Sequence, residues 1–435
     1  MKKNQKTVYV GLSADILHEG HINILQEASK LGKVYVGLLT DKAIASYKKF
    51  PHLNFKQREI VLKNIKYVHK LIPQKTLDYR PNLIKIKPNY VVHGDDWKTG
   101  IQKKTRSQVI SVLKKWKGKL IEPKYTKNIS STIIKKKILD IGTTPDVRKE
   151  KLSRLIQAKK IVRILESHSP LTGLIIENLK IEKNNNFQEF DGMWSSSLTD
   201  SALRGKPDNQ SVDYSTRMSG LNEVLDVTTK PIIFDGDNGG RLEHISFMIK
   251  ALERMGVSAV IIEDKIGLKK NSLFLNQKGA KQDTVKNFCK KINKAKKSKI
   301  SDDFFIIARI ESFILGKDLN DAIKRAEAYS KAGADAILIH SKENTPEQVI
   351  SFAKKFIKSK YYKPMVAVPS SYSKTSEKLL IKYGFKIVIY ANQMMRASYP
   401  AMVNLAKSIL ENQRSYEYEK KIISIKEIIN LIKND

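Results

Sequence analysis

Three carboxylates and two imidazoles stand out in this chain because of where they fall relative to its apolar runs. Asp235 and Asp237 lie two apart at the end of KPIIFDGD, so on a strand their side chains point the same way. Glu263 closes the next apolar run, SAVIIED. Three hard oxygen donors at adjacent strand ends suit Mg²⁺, which takes few carboxylates directly and keeps water. Arg309 and His340 end the two runs that follow, FFIIARI and DAILIH, and bring positive groups to the same rim. An oxyanion such as a phosphate fits between a metal and a guanidinium fork. Strand-end acids paired with lysines are the plainer alternative.

The imidazoles sit in HEGH, where His18 and His21 share one face at the start of a helical pattern. Backbone N–H groups and the positive end of the helix dipole converge there, a natural phosphate site. Protonated imidazoles beside it would stabilise a phosphate under attack; helix capping or packing is the alternative. Downstream, FKQREIVLKNI carries Arg58, and HGDDW ends a strand with Asp95, Asp96 and Trp97. ISSTIIK, residues 129–135, opens another helix with Ser130, Ser131, Thr132 and Lys135, a second possible phosphate cradle.

These groups need elements to position them. Residues 1–140 alternate the runs TVYVGL, KVYVGLL, NYVVHGDD and KLIEP with helices expected over about 21–31, 55–67 and 101–116. That alternation implies a parallel sheet with crossover helices, whose ligands gather at the carboxyl ends of the strands. IGTTPDVRKEKLSRLI then turns charged and helical, and a linker is expected at 141–164. Over residues 165–435 come eight apolar runs: LTGLIIE, EFDGMW, KPIIFDGD, SAVIIED, FFIIARI, DAILIH, PMVAVPS and KIVIYAN. With helical patterns in most gaps they imply an α/β chain whose second domain is a TIM (β/α)8 barrel. A doubly wound sheet is the alternative, disfavoured because polar residues end nearly every run. The tail SIKEIINLIKN reads as a short amphipathic helix.

Composition narrows the function class. The chain has 435 residues, enough for more than one core. Its formal net charge of +36 comes from lysines scattered through every segment. A solvated basic surface is therefore expected, with no specific nucleic-acid partner; weak polyanion binding stays open. One cysteine, Cys289, excludes a disulfide framework and a multi-cysteine metal site and points to a reducing, cytoplasmic setting. MKKNQK is followed too soon by Asp15, His18, Glu19 and His21 for an export signal, and no run of 18 apolar residues suggests a membrane span.

HEGH, TDK, the Arg58 region, GDDW and ISSTIIK, in that order, resemble the HxGH cytidylyltransferases of the glycerol-3-phosphate and choline-phosphate type. The resemblance implies a Rossmann-like domain over 1–140 that joins CTP to a phosphate or phosphonate oxygen. It places His18 and His21 on the triphosphate and Asp15 beneath the phosphates. Arg58, Asp95, Asp96 and Trp97 join the nucleotide set, and Ser130, Ser131, Thr132 and Lys135 would hold the β and γ groups.

EDKIGLKKNSL, residues 263–273, resembles the gating loop of phosphoenolpyruvate mutase in the isocitrate lyase superfamily, and MWSSSL, GKPD, FDGD, ARIES and AILIHS extend the likeness to the C-terminus. Both halves together resemble a mutase fused to a nucleotidyltransferase. The implied reaction interconverts phosphoenolpyruvate and phosphonopyruvate. Mg²⁺ would sit on Asp235, Asp237 and Glu263, with Trp194, Ser196 and Leu198 on the pyruvate portion and Asp208 orienting the reactants. Lys265, Asn271 and Ser272 from the loop, with Arg309, His340 and Ser341, would cover the phosphoryl group. Lyases of the superfamily carry a cysteine in this loop; here there is none, which disfavours carbon–carbon cleavage. If water entered, the same site would act as a phosphonopyruvate hydrolase. A non-catalytic, polyanion-binding scaffold is a third reading, opposed by the completeness of both polar sets. A homo-oligomer, dimer or tetramer, is expected.

Overall fold

The computed structural model describes residues 6–47, 50–98, 102–124, 144–183, 186–267, 269–274 and 276–431. Its first unit is a parallel five-stranded sheet of Thr7–Leu12, Lys33–Leu39, Lys70–Gln74, Tyr90–Val92 and Lys119–Ile121, in the order third, second, first, fourth, fifth. Both faces are covered, as parallel sheets require. On one, Val8, Val10, Val34 and Val36 pack with Leu25 and Ala28 of helix Glu19–Leu31. On the other, Tyr9, Tyr79 and Trp97 pack with Leu83, Val109 and Val112. The rings of Tyr79 and Tyr9 press on the backbone itself: a Cβ on Gly11 would lie 2.3 Å from Tyr79, and one on Gly37 only 1.8 Å from the Tyr9 hydroxyl.

Strand Lys70–Gln74 and helix Arg80–Ile86 were not expected from the sequence. The strand carries Pro73, which a sheet tolerates because this strand is an edge.

The second unit is a closed barrel of eight parallel strands in chain order: Val162–Glu166, Gly192–Ser195, Ile232–Asp235, Ala259–Glu263, Phe305–Ile310, Ala336–Ile339, Met365–Ala367 and Phe385–Tyr390. The interior holds Ile164, Ile233, Ile261, Ile307, Leu338 and Ile389, each fully buried. The expected count of eight is met with one member exchanged. LTGLIIE is helical, within Pro170–Asn178, and the first strand is VRILE. A capping box between Ser169 and Thr172, with Pro170 in the first turn, starts that helix and overrides its apolar run.

The stretch expected as a linker holds helix Pro145–Ala158, which closes the N-terminal end of the barrel. Its Leu152, Leu155 and Ile156 join the interior cluster. Arg148 Nη2 donates to the Leu225 and Thr228 carbonyls at 3.2 and 2.9 Å, and Ser258 Oγ donates to the Arg148 carbonyl at 3.0 Å. Phe50, from the first unit, packs into the same cluster. The sheet domain is thus seated at the end of the barrel away from the strand termini that carry Asp235, Glu263, Arg309 and His340. Among the described residues of the tail, Ile425–Ile429 is helical, and it is exposed.

Candidate functional sites

At the carboxyl end of the barrel, Trp194, Ser196, Leu198, Asp208, Asp235, Glu263, Arg309 and His340 share one cavity of about 60 Å³. From the segment between the fourth and fifth barrel strands, Lys265 and residues 269–273 reach over it. The feet of this lid, Lys265–Ile266 and Lys281–Gln282, pair antiparallel, and its Lys265, Lys269, Asn271 and Ser272 reach the cavity wall.

The acidic side is built around the FDGD turn. Asp235 Oδ2 accepts from Ser197 Oγ at 2.8 Å, at the first turn of helix Ser197–Leu203. Asp237 adopts φ 48°, a left-handed backbone that costs most non-glycine residues about 1–2 kcal/mol. Arg217 braces the turn from beneath, donating through Nε to Asp200 at 2.8 Å and through Nη1 to the Asp235 carbonyl at 2.6 Å, with Asp237 at 3.6 Å. Lys269 sends its ammonium among these acids. It donates to Asp208 Oδ1 at 2.6 Å and touches Asp237 and Ser197. Burial works against that charge, but Asp235, Asp237 and Asp208 outweigh it and hold the ammonium above the usual lysine range. Asp235 is likewise buried, yet Lys269, Arg217 and Arg309 pull its pKa down to about 2. Burial pushes Glu263 up to about 7, only partly opposed by Arg309 and Lys265.

The basic side is a network about Arg309. Its Nε donates to Glu311 at 2.5 Å, and its Nη2 donates to Ser272 Oγ and to His340 Nδ1, both at 2.9 Å. Glu263 lies 3.4 Å from the same nitrogen. Burial and the Arg309 charge lower the His340 pKa despite Glu311. The His340 Nδ1 also lies 3.1 Å from Glu311, and burial beside Arg309 disfavours the positive charge expected at this position.

Lid residues close the ring. Lys265 Nζ donates to Ser272 Oγ and to the Lys270 carbonyl, both at 2.7 Å, Ser272 donates to Glu311 at 2.5 Å, and Asn271 Nδ2 donates to Asp208 at 2.7 Å. Lys265 thus latches the lid while lying 3.6 Å from Glu263 and 3.5 Å from Glu311, and the lysine among Asp208, Asp235 and Asp237 is Lys269, which sequence reasoning missed. KIGLKKN offers three lysines in an aperiodic loop, so nothing local distinguishes them. Ser197, Arg217 and Glu311 were also unassigned. Ser341, expected on the phosphoryl group, instead donates to Gln348 at 2.6 Å and accepts from the Glu343 amide at 3.2 Å.

Among the described residues no three His, Cys, Asp or Glu side chains form a ready-made metal cage. Asp208, Asp235, Asp237 and Glu263 nevertheless concentrate buried negative charge around one ammonium. Mg²⁺ needs only one or two carboxylates directly and carries water for the rest, so this donor set suits it.

The other site is sparser. His18 takes the cap position of helix Glu19–Leu31 with extended backbone and no side-chain capping bond. Its ring centre lies 4.0 Å from that of His21. Burial lowers its pKa more than Glu19 raises it, which disfavours the protonated ring expected there. Its Nδ1 is buried with no hydrogen-bond partner among the described residues. Asp15 follows Ala14, itself at φ 47°, and accepts from the Leu53 amide at 3.0 Å.

Arg58, expected on the nucleotide, is a buried strut: it donates to the Ser13, Leu39 and Leu53 carbonyls at 2.5, 2.8 and 3.1 Å and to Asp41 at 2.7 Å. Trp97 is buried as well, donating to Glu122 at 2.7 Å and stacked 3.9 Å from His93. Asp95 and Asp96 share its short turn, with Asp96 exposed. Ser130, Ser131, Thr132 and Lys135 lie outside the described residues.

Residues 152–410 match the family model of phosphoenolpyruvate phosphomutase, and residues 9–137 that of cytidylyltransferase-like proteins. A phosphoenolpyruvate phosphomutase of Tetrahymena pyriformis is 35% identical over 281 residues, 64% of this chain and 89% of its own length. A phosphonopyruvate hydrolase of Variovorax sp. is 30% identical over 290 residues, 65% of this chain and 94% of its own. The crystal structure of a phosphoenolpyruvate phosphomutase from Streptomyces platensis subsp. rosaceus has a TM-score of 0.60 at 33% identity, covering 65% of this chain and 94% of that one. A phosphonopyruvate hydrolase complex with oxalate and Mg²⁺ has a TM-score of 0.58 at 28% identity, covering 66% and 95%.

Proposed function

The chain belongs to the phosphoenolpyruvate phosphomutase family, and from that premise we propose that its barrel interconverts phosphoenolpyruvate and phosphonopyruvate while its sheet domain transfers a cytidylyl group from CTP. The observation that carries the first activity is the division of charge in the barrel mouth. Acids surround Lys269 on one side, Arg309 and His340 stand on the other, and the lid reaches both.

In the forward direction the bond between phosphorus and the enol oxygen breaks, leaving a pyruvate enolate and a metaphosphate-like fragment. C3 of the enolate then gives its electron pair to phosphorus. Trp194, Ser196 and Leu198 would seat the pyruvyl part. The Arg309 guanidinium, His340 and Asn271 would spread the phosphoryl charge. Asp235, Asp237 and Glu263 would hold Mg²⁺, which when bound offsets the charge of carboxylate and enolate oxygens. The Lys265–Ser272–Glu311 and Asn271–Asp208 bonds keep the lid down and water out, so the fragment meets carbon rather than solvent. Phosphorus NMR of the protein with phosphonopyruvate and Mg²⁺ tests this: phosphoenolpyruvate should appear, whereas phosphate and pyruvate alone would assign the barrel to hydrolysis.

In the sheet domain, an acceptor phosphonate or phosphate oxygen would attack the α-phosphorus of CTP and release pyrophosphate. His18 and His21 would donate hydrogen bonds to the triphosphate at the start of helix Glu19–Leu31. Pyrophosphate release on mixing CTP with candidate phosphonates checks it. A basic scaffold without catalysis would show neither reaction.

A homo-oligomer is supported by helix Gln393–Asn412, which has no buried residue and exposes Tyr399 and Leu410 by 67% and 80%. Between the first and eighth barrel strands, Leu165, Leu179, Phe190 and Tyr390 line an open apolar hollow. Sedimentation of the wild type against Leu410→Lys should show a smaller species for the variant. No described helix is long and apolar enough to cross a membrane; we read the setting as cytoplasmic on the single-cysteine composition.

A further inference from the structure

Helix Pro145–Ala158 belongs by packing to the barrel, yet one of its side chains serves the other domain. Arg154 has only 11% of its side chain exposed. Its Nη1 donates to the His52 carbonyl at 2.7 Å, and its Nη2 donates to the Pro51 carbonyl at 3.0 Å and to Asp41 Oδ2 at 3.3 Å. The guanidinium lies 4.9 Å from the centre of the Phe50 ring.

The loop it grips, residues 50–54, is the one on which the HEGH turn leans. Leu53 gives its amide to Asp15, just ahead of His18 in sequence, and its carbonyl to Arg58. Arg58 holds the Ser13 and Leu39 carbonyls and the other oxygen of Asp41. Two guanidiniums, one from each domain, therefore brace the same carboxylate and the same loop. Without Arg154, the Pro51 and His52 carbonyls and one face of Asp41 lose this donor, in a loop that is itself neither helix nor strand and is anchored also where Asn54 caps helix Phe55–Lys63 and meets Glu150.

We propose that Arg154 is a positioning residue for the nucleotide site. The base helix of the barrel sets the 50–54 loop, the loop sets Asp15, and Asp15 sets the turn that presents His18 and His21. This rests on the nucleotidyl-transfer reading of the sheet domain. It makes that domain depend on the barrel, while the barrel mouth, at the far end of the strands, has no such debt.

The test uses the full chain and compares wild type, Arg154→Ala and Arg154→Lys. In Arg154→Ala the KM for CTP in pyrophosphate release should rise about tenfold, since displacement far from the chemistry is enough for that, with isomerisation of phosphonopyruvate unchanged. Arg154→Lys keeps the charge but not the fork and should recover part of the loss. An unchanged KM for CTP with fewer active molecules, or an equal loss of isomerisation, overturns the proposal. If the wild type neither binds nor turns over CTP, the nucleotidyl-transfer reading fails by itself. Amide hydrogen exchange over residues 50–58 then decides the bracing: faster exchange in Arg154→Ala supports it, and the same exchange in both proteins sinks it.

Discussion

The barrel mouth and the HEGH turn both present polar groups at the carboxyl ends of parallel strands, but they are held in different ways. In the mouth, the functional side chains are fixed by polar or oppositely charged side chains from neighbouring segments and from the lid: Asp235 by Ser197, Asp208 by Lys269 and Asn271, Arg309 by Glu311 two residues on and by Ser272. At the HEGH turn the rings rest on a helix end and on a loop that Arg58 and Arg154 brace from behind. The first arrangement excludes water, as transfer of a phosphoryl fragment to carbon demands. The second leaves an open face for a triphosphate. Preorganisation by interlocking charge and preorganisation by backbone are alternative answers to the same demand for fixed geometry.

If the two regions work separately, single changes should divide them. The largest effect is expected from Asp235→Ala, which should lower isomerisation about 10³-fold and leave pyrophosphate release from CTP intact, as followed by phosphorus NMR. His21→Ala should do the reverse, with a loss of about 10²–10³-fold in pyrophosphate release. Equal loss of both activities in either variant would break the division. Lys269→Met removes the ammonium held by Asp208, Asp235 and Asp237, and we expect about a 10²-fold drop in isomerisation. A milder change, Ser272→Ala, unties Lys265, Arg309 and Glu311 at one atom. It should slow isomerisation about tenfold and raise the share of substrate lost as phosphate and pyruvate; an unchanged product ratio would show that the lid does not exclude water.

The smallest effect concerns pH and only the sheet domain. Burial holds the His93 pKa below its ordinary 6.5, against the pull of the Gly94 carbonyl, Asp96 and Glu122. The unfolded chain therefore takes up the proton first as pH falls. The contribution of neutral His93 to stability is complete above pH 6.5 and declines below it. Thermal unfolding of the sheet domain should shift to lower temperature between pH 6.5 and 5.5 in the wild type and less so in His93→Gln, by roughly 1 kcal/mol at most.

Much of the barrel was legible because strand ends are local features. An apolar run that stops at Asp, Glu, Arg or His announces both the strand and the side chain on its rim, and Asp235, Glu263, Arg309 and His340 do line one cavity. Legibility failed where two local signals competed or none existed. LTGLIIE reads as a strand until the Ser169 cap is weighed, and VRILE hides its strand behind Arg163, whose charge pairs with Glu377 at 2.7 Å. Lys265, expected on the loop, does reach the cavity wall, and Lys269 joins it there through contacts that no local pattern announces. Arg58 and Ser341 look free in the sequence, but their donors are taken by backbone and by Gln348.

Taken alone, the amino-acid order determined the two α/β units, the rim that gathers the acids, and the helix start that gathers the imidazoles, since alternation, strand ends and caps are written within a few residues. Tertiary structure decided that Lys269 enters among Asp208, Asp235 and Asp237, that burial disfavours the charged forms of His18 and His340, and how the sheet domain sits on the barrel. Those outcomes depend on burial and on partners far apart along the chain, such as Arg309 with Ser272, 37 positions away, and Arg154 with His52, 102 positions away. No local pattern encodes a distance that only the packed molecule makes short.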